Sequence, residues 1–186
     1  MAAYDEELLE AAQRLLARRT GQRGKLAAAR IRRSISTSYY ALFHFILDEV
    51  SLRVVGAGNG LRVRRRILAR TLAHAGVKTA LDKVRGASAD VSVADFLRQD
   101  GGQAANVAVP AFVQKMAKAF ADAQAKRHDA DYDLNKSLSE VDARLLHARV
   151  GRVIAAWRGA TSRADRDFKH ALCVLILLKG KLRADQ

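Results

Sequence analysis

The 186-residue chain has 33 Lys and Arg residues against 19 Asp and Glu residues, a formal net charge of +14. Hydrophobic residues make up 49% of the chain and proline occurs once, which excludes a disordered protein. The acidic start lacks the basic flank and apolar run of a signal peptide, and the longest apolar run, Ala171–Leu178, is far shorter than the ~20 residues that cross a bilayer. We therefore expect one soluble cytoplasmic domain over residues 1–186, without a membrane partner.

Apolar residues recur at helical spacing in successive segments, and no segment alternates with a period of two. Pro110 suits the first turn of a helix, and Ser139 followed by Asp142 resembles a capping box. Residues 86–107 are irregular, with one short helix predicted at Ser92–Gln99. The other predicted helices are Ala3–Thr20, Leu26–Arg53, Leu61–Val84, one that begins at Pro110, one that begins at Ser139, and Ala164–Lys179. The sequence thus predicts an all-α, up-and-down bundle of about six helices.

The segment Arg30–Glu49 predicts the central helix of this bundle. It is apolar or small nearly all round, as expected for a helix inside a bundle. One polar stripe lies opposite Ile35 and consists of Arg33, Thr37, Tyr40 and His44. This stripe is the first candidate for a functional surface.

Positive charge is concentrated in the first half of the chain. Residues 11–81 contain fifteen Lys or Arg residues and two acidic residues, a net charge of +13. Such a concentration favours a polyanion as partner, and a solvated basic face is the alternative interpretation. The densest cluster contains the candidate phosphate-contacting residues Arg62, Arg64, Arg65 and Arg66. The same helical segment has Val63, Ile67, Thr71 and Leu72 at positions predicted to face inward.

Neither a metal site nor a cofactor is expected. Cys173 is the only cysteine, so it can form neither an intrachain disulfide nor a cysteine-based zinc site. No two of the five histidines have the spacing of a helical metal motif, and no Walker loop is present. The apolar run around Cys173 predicts either deep core or a subunit contact.

Two stretches carry a resemblance to a known family. RSISTSYYALFH, from Arg33 to His44, and RHDADY, from Arg127 to Tyr132, together resemble HEPN-domain proteins. In that family a YYA-hydrophobic-FH helix packs beside a later R-x-x-(A)-D-Y segment. The resemblance implies a helical bundle, commonly a homodimer, with RNA or a nucleotide as the usual ligand class and a cleft near Arg127–Tyr132.

Many family members are ribonucleases with an R-x4–6-H motif, and here that motif is missing at the expected place. Arg127 is followed by Asp131 and Tyr132, with no histidine four to six residues beyond it. Arg163 and His170 have the right spacing at the start of the last predicted helix and are the weak candidates for a catalytic pair. Whether the protein is an enzyme is therefore left open.

Three functions remain open from the sequence. The first is a dimeric protein that binds RNA or a nucleotide in a pocket lined by Arg33, Tyr40, His44, Arg127, Asp131 and Tyr132. The second is a metal-independent ribonuclease, as the toxin of a toxin–antitoxin pair with a nucleotidyltransferase-like partner protein. The third is a non-catalytic interaction module. The ligand-binding hypotheses have a structural alternative, in which Arg127, Asp131 and Tyr132 only hold helices of the bundle together.

Overall fold

The computed structural model describes residues 3–17, 25–97 and 107–181, without the side chains of residues 25 and 26. Regular structure in these ranges is helical, apart from an isolated antiparallel bridge between Ser88 and Ala108. A 3₁₀ turn at Asn59–Leu61 follows the second helix. The helices are α1 (Tyr4–Leu16), α2 (Lys25–Val55), α3 (Arg62–Thr71), α4 (His74–Asp82), α5 (Val91–Leu97), α6 (Ala111–Tyr132), α7 (Glu140–Gly159) and α8 (Arg163–Leu177). The predicted all-α class is confirmed.

One predicted helix is two helices in the structure. The segment Leu61–Val84 breaks at Leu72, whose backbone is extended at φ −85° and ψ 123° and whose side chain is buried. Neither glycine nor proline marks this break, so the sequence has no stop signal there. The first helix ends at Leu16, earlier than predicted, and residues 18–20 of the predicted helix lie outside the described residues.

The chain divides into two compact units. Unit 1 comprises Met1–Phe45 and Ala119–Ala155, and unit 2 comprises Ile46–Lys118 and Ala156–Gln186. Helices α2, α6 and α7 each contribute residues to both units. The single domain expected from chain length stays a prediction.

In unit 1 the first part of α2 is buried as the sequence predicts. Ile35 and Tyr39 are fully inaccessible to solvent, and the Tyr39 ring packs 5.6 Å from the ring of Phe120. The buried Ser34 hydroxyl donates a hydrogen bond to the Ala12 carbonyl at 2.9 Å, which joins α2 to α1. Burial raises the pKa of Tyr39, so its hydroxyl stays protonated at physiological pH.

In unit 2 the apolar run of α8 forms deep core, one of the two predicted alternatives. Ala171, Leu172, Cys173, Leu175 and Ile176 are all buried, and α4 and α5 pack against α8. Burial raises the pKa of the Cys173 thiol to about 12, so the thiolate does not form at neutral pH. No helix within the described ranges is long and apolar enough to span a bilayer.

The capping box predicted at the start of α7 is present. The Ser139 hydroxyl donates to Asp142 Oδ2 at 2.6 Å, and the Asp142 amide donates back to Ser139 Oγ at 3.0 Å. Lys126 Nζ donates to the other carboxylate oxygen of Asp142 at 2.9 Å. The Ser139 hydroxyl and Lys126 together lower the pKa of Asp142 to about 2.

Substitution Asp142→Asn is expected to lower the free energy of unfolding near neutral pH by about 1 kcal/mol, discounted for the exposure of the pair. Because the folded-state pKa lies below the ordinary value of 3.8, this stabilisation is present above that value and is lost as the pH falls towards about 2. Urea unfolding at neutral and acidic pH measures the difference. An equal loss of stability at both pH values would contradict the role of the carboxylate charge.

Candidate functional site

Arg127 lies near the end of α6 in unit 1 and binds side chains from two helices. Its Nη2 donates to the Tyr40 hydroxyl at 3.1 Å and to the Tyr132 hydroxyl at 3.3 Å. Its Nε is 2.7 Å from Asp131 Oδ2, in an ion pair whose N–H is not aligned for a hydrogen bond. The Ser36 hydroxyl donates to the same Asp131 oxygen at 3.2 Å. The predicted proximity of Arg127 to Tyr40 is therefore confirmed.

Tyrosine rings surround the Arg127 guanidinium. Its central carbon lies 5.2 Å from the ring centre of Tyr132, 5.6 Å from that of Tyr40 and 6.0 Å from that of Tyr39. These are cation–π distances. Burial by itself would lower the pKa of Arg127, but the interactions with Tyr40 and Asp131 outweigh it and raise the pKa. The guanidinium is therefore positively charged at any physiological pH.

These contacts belong to a longer series of neighbouring rings within unit 1. The ring centres of Tyr4 and His44 are 4.9 Å apart, those of His44 and Tyr40 are 6.5 Å apart, and those of Tyr132 and His128 are 5.2 Å apart. The Arg127 guanidinium connects Tyr40 to Tyr132. We call this set the aromatic row; its members in order are Tyr4, His44, Tyr40, Arg127, Tyr132 and His128.

The two ends of the aromatic row are open to solvent and its middle is not. Tyr132 is 63% exposed and Tyr4 is 51% exposed, and His128 beside Tyr132 is also exposed. Tyr40, His44 and Arg127 are half-buried between them. The exposed ring of Tyr132 lies against the Arg127 guanidinium, and that of Tyr4 lies against His44. Exposed rings held in this way offer flat surfaces to a second flat group.

Arg32 holds the end of α6 that carries this site. Its Nη1 donates to the backbone carbonyls of Asp129, Ala130 and Asp133 at 2.9–3.1 Å. Its Nη2 donates to the carbonyls of Leu134 and Lys136 at 3.3 and 2.6 Å. Sequence reasoning missed this residue. The only available signal was an arginine within the mostly apolar segment that precedes the polar stripe.

The structure brings together five of the six predicted pocket residues. Tyr40, His44, Arg127 and Tyr132 lie in the aromatic row, and Asp131 is paired with Arg127. Arg33 is the exception. It is exposed, and within the described ranges no hydrogen bond or ion pair joins its guanidinium to another residue. The contribution of Arg33 to a ligand pocket therefore stays a prediction.

The predicted phosphate-contacting arginines lie on and around α3 in unit 2. Arg62, Arg64 and Arg66 are exposed, so contact with phosphate stays a prediction for them. Arg65 is different because its Nη1 donates to the carbonyls of Gly56 at 2.6 Å and Gly58 at 3.1 Å. Gly56, with its φ of +97°, follows the end of α2, so Arg65 Nη1 binds the carbonyls that follow this helix. Phosphate contact by Arg65 also stays a prediction.

The inward face predicted for this segment is wrong at three positions. Val63 is 56% exposed and Ile67 is 59% exposed, and Thr71 is also exposed. The less exposed side of α3 consists instead of Arg65, Leu68 and Ala69. Leu72, which follows the helix, is buried as predicted.

The candidate catalytic pair lies on α8 in unit 2. Arg163 and His170 are both exposed, and seven residues of helix separate them by about 10 Å along its axis. Arg163 Nε lies 4.0 Å from Asp167 Oδ2, and the His170 ring stacks on Phe96 with ring centres 6.3 Å apart. Their catalytic role stays a prediction.

No cluster of three or more potential metal-ligating side chains occurs in the part of the chain that the structure describes. Comparison of the chain with protein-family models, with curated proteins and with solved structures finds no match in any of the three.

Proposed function

We propose that this chain is a HEPN-like protein that binds a nucleotide base, from single-stranded RNA or a free nucleotide, by stacking it on the aromatic row. The observation that supports the proposal is the continuity of the row, whose exposed Tyr4 and Tyr132 rings flank the half-buried Tyr40 and Arg127. Every base has a flat π-face, so stacking of this kind tolerates many sequences.

The role of Arg127 in this proposal is to hold the tyrosine rings in place. Its Nη2 is bonded to two tyrosine hydroxyls, and its Nε faces the Asp131 carboxylate. The fixed guanidinium keeps the Tyr40 and Tyr132 rings in place before the ligand arrives, which reduces the ordering cost of binding.

The HEPN resemblance adds two partners to the proposal. A second copy of the chain would form the homodimer, and a nucleotidyltransferase-like protein would be the antitoxin partner if the protein is a toxin. Sedimentation of the purified protein tests the first of these, since a strictly monomeric protein would remove the homodimer from the proposal.

Substitution Tyr132→Ala is expected to weaken binding of a fluorescein-labelled oligoadenylate of about eight nucleotides by about 5- to 150-fold, the loss of one stacked base. Tyr132 is 63% exposed, so the substitution removes a stacking surface without opening a core cavity. Fluorescence anisotropy measures the affinity. Adenosine monophosphate, added as competitor, distinguishes a free-nucleotide site from one that needs an RNA strand.

The matched control is Leu134→Ala, which shortens another exposed side chain two residues away and outside the aromatic row. Its affinity for the oligonucleotide should equal that of the wild type. If Leu134→Ala weakened oligonucleotide binding as much as Tyr132→Ala did, the loss would come from a disturbed loop and not from a lost stacking surface. Affinity that is unchanged in Tyr132→Ala, or that is absent at low salt in the wild type, would refute the proposal.

A further inference from the structure

Helix α3 in unit 2 presents two large aliphatic side chains, Val63 and Ile67, to solvent. None of its ten residues is buried. On a helical wheel, Val63 and Ile67 are only about 40° apart and lie opposite the less exposed side that Arg65 occupies. These two aliphatic side chains, 56% and 59% exposed, therefore form the outermost ridge of the helix.

Arginines lie on both sides of this ridge. Arg62, Arg66 and Arg70 occupy one flank, Arg64 occupies the other, and all four are exposed. No acidic residue occurs between Asn59 and Leu81 in the sequence. Hydrogen bonds from Arg65 to the Gly56 and Gly58 carbonyls attach the opposite side of α3 to the end of α2. The ridge and its flanks thus face away from the end of α2.

We propose that α3 docks on an anionic phospholipid surface, with Val63 and Ile67 inserted among the headgroups and acyl ends and the flanking arginines bound to lipid phosphates. Helices that lie in a membrane interface combine an apolar face with Lys and Arg on the polar face. Arginine side chains can extend along the helix so that the charged end stays in water while the aliphatic part is covered. This proposal does not depend on nucleotide binding at the aromatic row.

The arrangement on α3 favours lipid over the other polyanionic partners. RNA offers phosphates and base faces that stack on aromatic rings, but α3 has no aromatic side chain, so RNA would leave Val63 and Ile67 uncovered. A protein partner would need a groove that is apolar at its base and acidic on both walls, because the ridge is convex and has arginines on either side. An anionic bilayer surrounds an inserted ridge with negative headgroups on all sides.

A helix that lies on a bilayer differs from one that crosses it. Two aliphatic side chains give shallow insertion, and each arginine adds attraction to an anionic surface that salt weakens. The expected binding is therefore reversible and sensitive to salt. The absence of a spanning helix from the described residues concerns crossing alone and is compatible with this mode of attachment.

Co-sedimentation of the full chain with vesicles tests the proposal. The probe is a pair of vesicle preparations, one of phosphatidylcholine alone and one in which roughly one-third is replaced by phosphatidylserine. The wild type should bind only the second, and the bound fraction should fall as salt rises. The double variant Val63→Ser, Ile67→Ser should bind these vesicles about tenfold more weakly, and Arg66→Gln, Arg70→Gln should show a weaker salt dependence.

The matched control is Val91→Ser, which removes an aliphatic side chain of α5 in the same unit that is 61% exposed. The helix segment that carries it, VSVADFL, contains no arginine. It should bind the anionic vesicles as the wild type does. Circular dichroism checks that every variant keeps its helix content. Wild-type protein that does not bind anionic vesicles, or a Val63/Ile67 variant that binds them equally well, would overturn the proposal. The proposal would also be overturned if the Val63/Ile67 variant lost oligonucleotide affinity by the same factor as it lost vesicle affinity. That result would favour RNA as the partner of α3.

Discussion

Substitution Arg32→Ala is expected to lower the free energy of unfolding by about 3 kcal/mol and to weaken oligonucleotide binding at the same time. Arg32 donates to five backbone carbonyls at and after the end of α6, and the shorter side chain leaves all five without this donor. Hydrogen bonds from a charged donor contribute about 1.5–3 kcal/mol each, but solvent replaces several of them at this partly exposed site. Urea unfolding gives the stability, and anisotropy gives the affinity.

The neighbouring Arg33→Ala is the matched control. It removes the same side chain one position along α2, where the guanidinium is exposed and has no hydrogen-bond or ion-pair partner among the described residues. Its stability should lie within about 0.5 kcal/mol of the wild type. If the two variants lose the same stability, the bonds of Arg32 do not hold the end of α6. Since Arg33 is one of the predicted pocket residues, the oligonucleotide affinity of this variant also tests that prediction: weaker binding would support it, and wild-type affinity would contradict it.

Substitution Lys169→Met in unit 2 is expected to lower the free energy of unfolding by about 2–3 kcal/mol. Lys169 is buried, and its Nζ donates to the carbonyls of Trp157 at 2.6 Å and Ala160 at 2.5 Å, at the end of α7. The ammonium also lies 5.2 Å from the Trp157 ring and 5.4 Å from the Phe112 ring. Methionine fills similar space but leaves both carbonyls without this donor. Lys118→Met, at an exposed position of the same unit, is the control and should change stability little.

The pH dependence of this loss distinguishes the buried amine from a simple packing effect. Burial, and secondarily Arg53, lowers the pKa of Lys169 below its ordinary 10.5. The unfolded chain then binds more protons at this group than the folded chain, so its contribution to stability rises with pH up to about 10.5. The stability difference between wild type and Lys169→Met should therefore be larger at alkaline than at neutral pH. A difference that is constant or falls with pH would contradict the burial of a charged amine.

The helical fold could largely be predicted from the sequence, because the apolar periodicity is strong where helices pack together. Ile35 and Tyr39 lie in the predicted central helix and are fully buried. The same logic fails on α3, where Val63 and Ile67 have helical spacing but face solvent. Periodicity places residues on a common face of a helix, but it does not say which face packs. On α3 the bonds of Arg65 to the carbonyls after α2 fix the other face inward.

The candidate site was only partly predictable for a related reason. Tyr40 and Arg127 could be paired through the resemblance of their two segments, and the hydrogen bond between them is present. The contact of Tyr4 with His44 and the bonds of Arg32 depend on how three segments distant in sequence pack together. No local pattern at Tyr4 or Arg32 signals these contacts. The structure was therefore needed to show that Tyr40 and Arg127 belong to the longer aromatic row.

Fluorine NMR of protein labelled with 3-fluorotyrosine tests the central claim most directly, because the chain has four tyrosines and three of them belong to the aromatic row. Tyr39, which is fully buried beneath Tyr40 and against Phe120, is the internal reference. Saturation with the oligoadenylate should shift the Tyr132 and Tyr4 resonances most, by ring current from stacked bases, and Tyr39 least. Unshifted Tyr4, Tyr40 and Tyr132 resonances in a sample that anisotropy shows to be saturated would contradict base stacking on the aromatic row.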